Sequence, residues 1–95
     1  MGETKTVRAQ ISGRVQGVGY RAWTHGMAGR LGLSGWVRNE ADGTVTAVFS
    51  GPAESVDTML AACRDGPALA RVDNIALDTP EEAPIGPFGQ TRPGC

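Results

Sequence analysis

Apolar and polar residues alternate along the first segment of the chain, with Val7, Ala9 and Ile11 set against Arg8, Gln10 and Ser12. That is the period of a strand with one face on a core and one towards water, and it predicts a first strand ending near Ser12. From Tyr20 the period changes. Tyr20, Trp23, Thr24, Met27, Ala28 and Leu31 follow helical spacing, and Gly32 supplies the stop. Gly26 and Gly29 weaken this helix by about 1 kcal/mol each relative to alanine, so close contact with a sheet is the expected reason for them. Residues 35–39 and 45–49 read as two strands joined by Glu40-Ala41-Asp42-Gly43, where Asp-Gly suits the positive φ of a tight turn.

A second helix opens at Gly51-Pro52, with Pro52 preset for the first helical position, Glu54 favourable to the dipole, and Val56, Met59, Leu60 and Cys63 as its buried stripe. It stops at Asp65-Gly66-Pro67. A fourth strand follows whose apolar positions, Val72, Ile75, Ala76 and Leu77, keep no single phase around the polar Asn74. From Pro80 the chain holds four of its six prolines and should be irregular until Phe88-Gly89-Gln90-Thr91-Arg92, at best an edge strand. The order β-α-β-β-α-β predicts an α+β fold: a ferredoxin-like split βαβ sandwich with an antiparallel four- to five-stranded sheet and two helices on one face.

The 95 residues make a single domain, 1–95, with 1–5 and 93–95 frayed, able to bury about two-thirds of its unfolded surface. The net charge of −1 argues against general nucleic-acid binding, but its distribution is uneven. Residues 1–39 carry six Lys and Arg against Glu3 alone, whereas residues 40–95 carry three Arg against nine acids. A positive amino-terminal half favours an anionic ligand. No apolar run approaches a membrane span and the amino terminus lacks the apolar core of a secretory signal, so a cytoplasmic protein is expected. Cys63 sits on a predicted apolar helix face, Cys95 ends the chain and His25 is the one histidine, which gives no convincing ligand set for a metal and no disulfide framework.

The candidate chemistry lies in Gly13-Arg14-Val15-Gln16-Gly17-Val18-Gly19-Tyr20-Arg21. Glycines loosen a loop between a strand and a helix, and N–H groups at a helix start have no intrahelical partners, which suits a phosphate. Arg21 in the first turn opposes the helix dipole at a cost of about 0.3–1 kcal/mol, tolerable if a bound anion reverses that balance. An ordinary surface arginine on a glycine-rich turn is the plain alternative.

This run, together with Gly32-Leu33-Ser34-Gly35-Trp36-Val37-Arg38-Asn39, Asp42-Gly43-Thr44-Val45 and Gly66-Pro67-Ala68-Leu69-Ala70-Arg71-Val72, resembles the acylphosphatase family over nearly the whole chain. The resemblance implies hydrolysis of acyl phosphates to a carboxylate and inorganic phosphate, with neither metal nor cofactor. It implies that Arg21 binds the phosphate, that the backbone N–H groups of Gln16, Gly17, Val18, Gly19, Tyr20 and Arg21 hold its oxygens, and that Asn39 positions the attacking water. The substrate's own phosphate would accept the water proton. An asparagine suits its role, offering an acceptor and donors without changing charge, although asparagine before a hairpin turn is also common. His25 lies one helical turn after Arg21; a solvated or partly packed side chain is the expectation, not a base. Gln90 departs from the family pattern, which has an apolar residue there.

Rival readings are a non-catalytic phosphate-binding module of the same fold, an RNA binder and a dinucleotide binder. RNA binding is disfavoured because the strands lack the pair of exposed aromatics on which bases would stack. Gly17-Val18-Gly19-Tyr20-Arg21-Ala22 satisfies G-x-G-x-x-A and Glu40 follows at a suitable distance, but a tight hairpin stands where a doubly wound sheet needs another crossover helix. The expected partners are an acyl phosphate and inorganic phosphate, with no nucleic acid and no membrane, and the expected state is a monomer.

Overall fold

The computed structural model describes residues 2–89. Its elements run β1 (Thr4–Arg14), α1 (Tyr20–Arg30), β2 (Ser34–Asn39), β3 (Val45–Pro52), α2 (Ala53–Cys63) and β4 (Arg71–Asp78). The sheet order is β2-β3-β1-β4 and every pairing between these strands is antiparallel. Alternation places Val7 opposite Phe49, Ala9 opposite Ala47 and Ile11 opposite Val45. The same face continues through Val37, opposite Ala47. Those residues form one core with Tyr20 and Ala28 of α1 and Val56, Met59 and Cys63 of α2, so both helices cover the same side of the sheet.

β1 continues past Ser12 because of a bulge. Ser12 pairs with Asn74 but Gly13 pairs with Val72, which leaves Asp73 as the extra residue of β4. One inserted residue also explains the mixed phase of β4, since Val72 and Ile75 are three apart and yet both pack against the core. Gly13 is required at this crossing: its φ is +124°, and a Cβ would fall 2.2 Å from the Arg71 carbonyl oxygen.

α1 ends as its sequence predicts. Leu33 N–H donates to Ala28 C=O and Gly32 N–H to Gly29 C=O, a Schellman motif with Gly32 at φ +71°. Two expectations fail. Pro52 does not open α2; it ends β3 opposite Thr4 in an extended conformation and serves as N-cap, so Ala53 is the first helical residue. Gly26 and Gly29 do not touch the sheet either. Both are exposed, and a Cβ on either would meet nothing within 4 Å. Changing each to alanine is therefore expected to stabilise the protein by about 0.5–1 kcal/mol, raising the calorimetric Tm by several degrees for the pair.

Thr4 and Lys5, expected to fray, pair with Pro52 and Gly51. The described part of the expected fifth strand is a single parallel bridge between Gly89 and Trp36, with Phe88 stacked on Phe49 at 5.7 Å. Residues 90–95, which carry the rest of that expectation, lie outside the described residues. Because β4 and Gly89 sit at opposite edges, residues 79–87 must cross the outer face of the sheet, a span of roughly 19 Å for four strand spacings. A cavity of about 840 Å³ lies beneath that crossing, lined in part by Arg8, Trp36, Val48, Glu81 and Glu82. Among the described residues no helix is long and apolar enough to cross a membrane.

Candidate active site

The loop after β1 turns twice through positive φ, at Gly17 (+75°) and Gly19 (+81°). In this conformation successive N–H groups can turn towards one side and form a concavity for an anion. A Cβ at either glycine would lie in open space, so the backbone torsion demands glycine and the bare chain remains approachable. Gly19 is the N-cap of α1 and makes no side-chain cap, and no acid stands in the first turn. The first helical bond runs from Trp23 N–H to Gly19 C=O at 3.0 Å, which leaves the N–H groups of Tyr20, Arg21 and Ala22 without a carbonyl one turn earlier.

These groups border a concavity of about 210 Å³ lined by Val15, Gly17, Gly19, Tyr20, Arg21, Ala22 and Asn39. Arg21 and Asn39, 18 positions apart in the chain, thus share one pocket although they stand on different elements. It is much smaller than the cavity under residues 79–87, but that larger space contains neither of them. Arg21 is exposed and makes no ion pair among the described residues, whereas Lys5, Arg8 and Arg38 are bound to Asp57, Asp78 and Glu40. An unengaged guanidinium beside bare N–H groups is a fork for an oxyanion.

The loop is held from two sides. Tyr20 is 1% exposed, and its hydroxyl donates to the Cys63 carbonyl at 2.7 Å, fixing the start of α1 to the end of α2. Burial drives the phenol pKa upward, so the hydroxyl remains a donor at neutral pH. Burial likewise pushes the Cys63 thiol up to about 11, which makes it inert near neutrality. On the other side, Gln16 Nε2 donates to the carbonyls of Glu40 and Thr44 at 2.8 and 2.9 Å, joining the loop to the hairpin beyond Asn39.

Of the residues expected from the sequence, Gly17, Gly19, Tyr20, Arg21 and Asn39 line the pocket. Gln16 and Val18 do not. Val18 is half-buried against the core, and Gln16 faces the hairpin. Val15 and Ala22 line the pocket but were not read as site residues from the sequence. Ala22 could have been found as the third residue of the helix's first turn, whereas Val15 gave no signal beyond its apolar character.

Two carboxylates stand in or beside the hairpin turn without lining the pocket. Thr46 and Arg38 hold Glu40 below the usual carboxylate range, and hydrogen bonds from Thr44 do the same for Asp42. Both are charged and engaged at neutral pH. His25 is half-buried with its ring edge-on to Phe88, 6.0 Å between centroids, and does not line the pocket. Among the described residues no group of three or more His, Cys, Asp or Glu is placed to hold a metal ion.

The sheet is antiparallel, with a hairpin where a dinucleotide fold needs a crossover, which removes that rival despite its glycine pattern. Comparison with known proteins points one way. The sequence pattern of the Acylphosphatase family matches residues 7–88. An acylphosphatase of Rhodospirillum rubrum is 55% identical over 89 residues, covering 94% of this chain and 97% of its own. An acylphosphatase structure from Coxiella burnetii superposes with a TM-score of 0.87 at 28% identity, covering 93% of each chain. That of Bacillus subtilis gives 0.83 at 28% identity, covering 95% of this chain and 100% of the other. With the family pattern running from the first strand to Phe88 and more than half of the residues shared with a relative of matching length, the chain belongs to the acylphosphatase family.

Proposed function

We propose that the chain hydrolyses acyl phosphates by attack of a water, positioned by Asn39, on a phosphate held by Arg21 and the backbone N–H groups of residues 16–21. The observation that carries this is the shared pocket of the glycine loop, the unengaged Arg21 guanidinium and the Asn39 carboxamide. The phosphate oxygens would take the N–H groups and the guanidinium fork, whose charge matters most as negative charge spreads over the equatorial oxygens. Asn39 would accept a hydrogen bond from the water and leave its lone pair facing phosphorus. The new P–O bond forms from water as the bond to the acyl oxygen breaks, and the electron pair leaves on the carboxylate. A carboxylate whose conjugate acid has a pKa of about 4 needs no general acid, which suits a pocket lined by no acidic side chain among the described residues. The water proton passes to a phosphoryl oxygen of the substrate.

No step in this scheme calls for a metal or a cofactor. A cytoplasmic monomer belongs to the same proposal, supported by a small core built from the residues of this one chain. The test is benzoyl phosphate hydrolysis by the purified chain with excess chelator. Release of benzoate and phosphate well above the spontaneous rate is expected. A folded chain that binds phosphate without such turnover would be a phosphate-binding module instead.

A further inference from the structure

We propose that the Gln16 side chain is a positioning residue for this hydrolysis, its carboxamide fixing where Asn39 holds water relative to the bound phosphate. This rests on the acyl-phosphate reading above. The Gln16 NH2 group has two hydrogens, and both are used, one on Glu40 C=O at 2.8 Å and one on Thr44 C=O at 2.9 Å. Because both partners are carbonyl oxygens, they accept only from the nitrogen end of the amide. One residue of the phosphate loop thus grips both ends of the hairpin turn, and one grip lies immediately after Asn39.

The turn does not need this clamp to close. Glu40 C=O already accepts Gly43 N–H, Thr44 C=O accepts Glu40 N–H, and Asp42 accepts hydrogen bonds from the Thr44 hydroxyl and N–H. Removing the Gln16 amide therefore orphans neither carbonyl and leaves the hairpin its own bonds. What the amide adds is the relation between two segments: the loop that holds the phosphate and the strand end that carries Asn39. Glutamate would present an acceptor to two acceptors, and asparagine is one methylene short. The requirement is therefore specific to glutamine.

Displacing a positioned group by about 1 Å can cost around a hundredfold in rate, so a clamp of this kind should be visible in kcat. The experiment measures benzoyl phosphate turnover, the inhibition constant of inorganic phosphate and far-UV circular dichroism for Gln16→Ala and Gln16→Glu, and then for Gln16→Ala combined with Asn39→Ala. Expected are a fall in kcat of about tenfold or more with phosphate inhibition changed less than about threefold. With Asn39 already truncated, losing Gln16 should cost nothing further, since it acts through that side chain. Unchanged kcat, fully additive losses in the double variant, or phosphate inhibition weakening as much as kcat falls would overturn the role. Should Gln16→Ala fail to fold, Gln16→Asn carries the same test. An inactive wild type would overturn the acyl-phosphate reading, whereas an active wild type with unaffected variants would overturn this inference alone.

Discussion

Replacing Arg21 by glutamine is expected to lower kcat/KM for benzoyl phosphate by about a thousandfold or more and to abolish measurable inhibition by phosphate. Removal of an arginine that stabilises a transferring phosphoryl group costs on the order of 10³–10⁵ in rate. Among the described residues no other cation lines the pocket to take its place. Stability should move the other way. Arg21 stands in the second helical position of α1, in a first turn with no acid, and without a bound anion its charge opposes the helix dipole by about 0.3–1 kcal/mol. The free Arg21→Gln protein should therefore be as stable as the wild type or slightly more so. Phosphate, which raises the Tm of the wild type by binding the folded state, should leave the variant's Tm unchanged. Calorimetry with and without phosphate checks both halves, and a variant that kept the phosphate-dependent rise would remove Arg21 from the site.

Asn39→Ala separates holding the phosphate from attacking it. Asn39 ends β2, is exposed, and is paired through its backbone with Val45, so truncating the side chain leaves the strand in place. Loss of a group that orients the nucleophile is expected to lower kcat by about 10²–10³, a loss of about 2.7–4 kcal/mol of transition-state stabilisation. Phosphate inhibition should stay within about threefold, or about 0.65 kcal/mol. Competitive inhibition by phosphate alongside single-turnover rates distinguishes the two effects. Equal losses in both would make Asn39 a phosphate ligand and not the holder of the water.

Much of this arrangement was legible in the sequence because the physics that sets it is local. Alternation in Val7-Arg8-Ala9-Gln10-Ile11 fixes which face of β1 is buried, and Gly32 marks the end of α1 because the Schellman turn needs positive φ there. The glycine loop and Arg21 could be assigned together since both features belong to one helix start. What was not legible depends on partners distant in sequence. The bulge that lengthens β1 and scrambles the phase of β4 arises from one extra residue, Asp73, opposite a β1 that passes too close for any side chain at Gly13. Gly26 and Gly29 looked like contact positions and are solvent-facing, because small residues on a helix mark tight packing only on its buried side. Gln16 was read for its backbone alone; its side chain reaches a turn more than 20 residues away, which no spacing rule predicts. The meeting of Asn39 with Arg21 followed from family resemblance, since nothing along either segment indicates that the end of β2 lies beside the start of α1.

The hydrolysis itself carries the most direct test: benzoyl phosphate is turned over with excess chelator in water enriched in oxygen-18, and both products are weighed by mass spectrometry. One labelled oxygen in inorganic phosphate and none in benzoate is the predicted outcome, because water bonds to phosphorus and the acyl oxygen departs unlabelled. Label in benzoate would mean attack at the carbonyl carbon, and a phosphate cradle flanked by a water-holding asparagine would then not be where the reaction occurs.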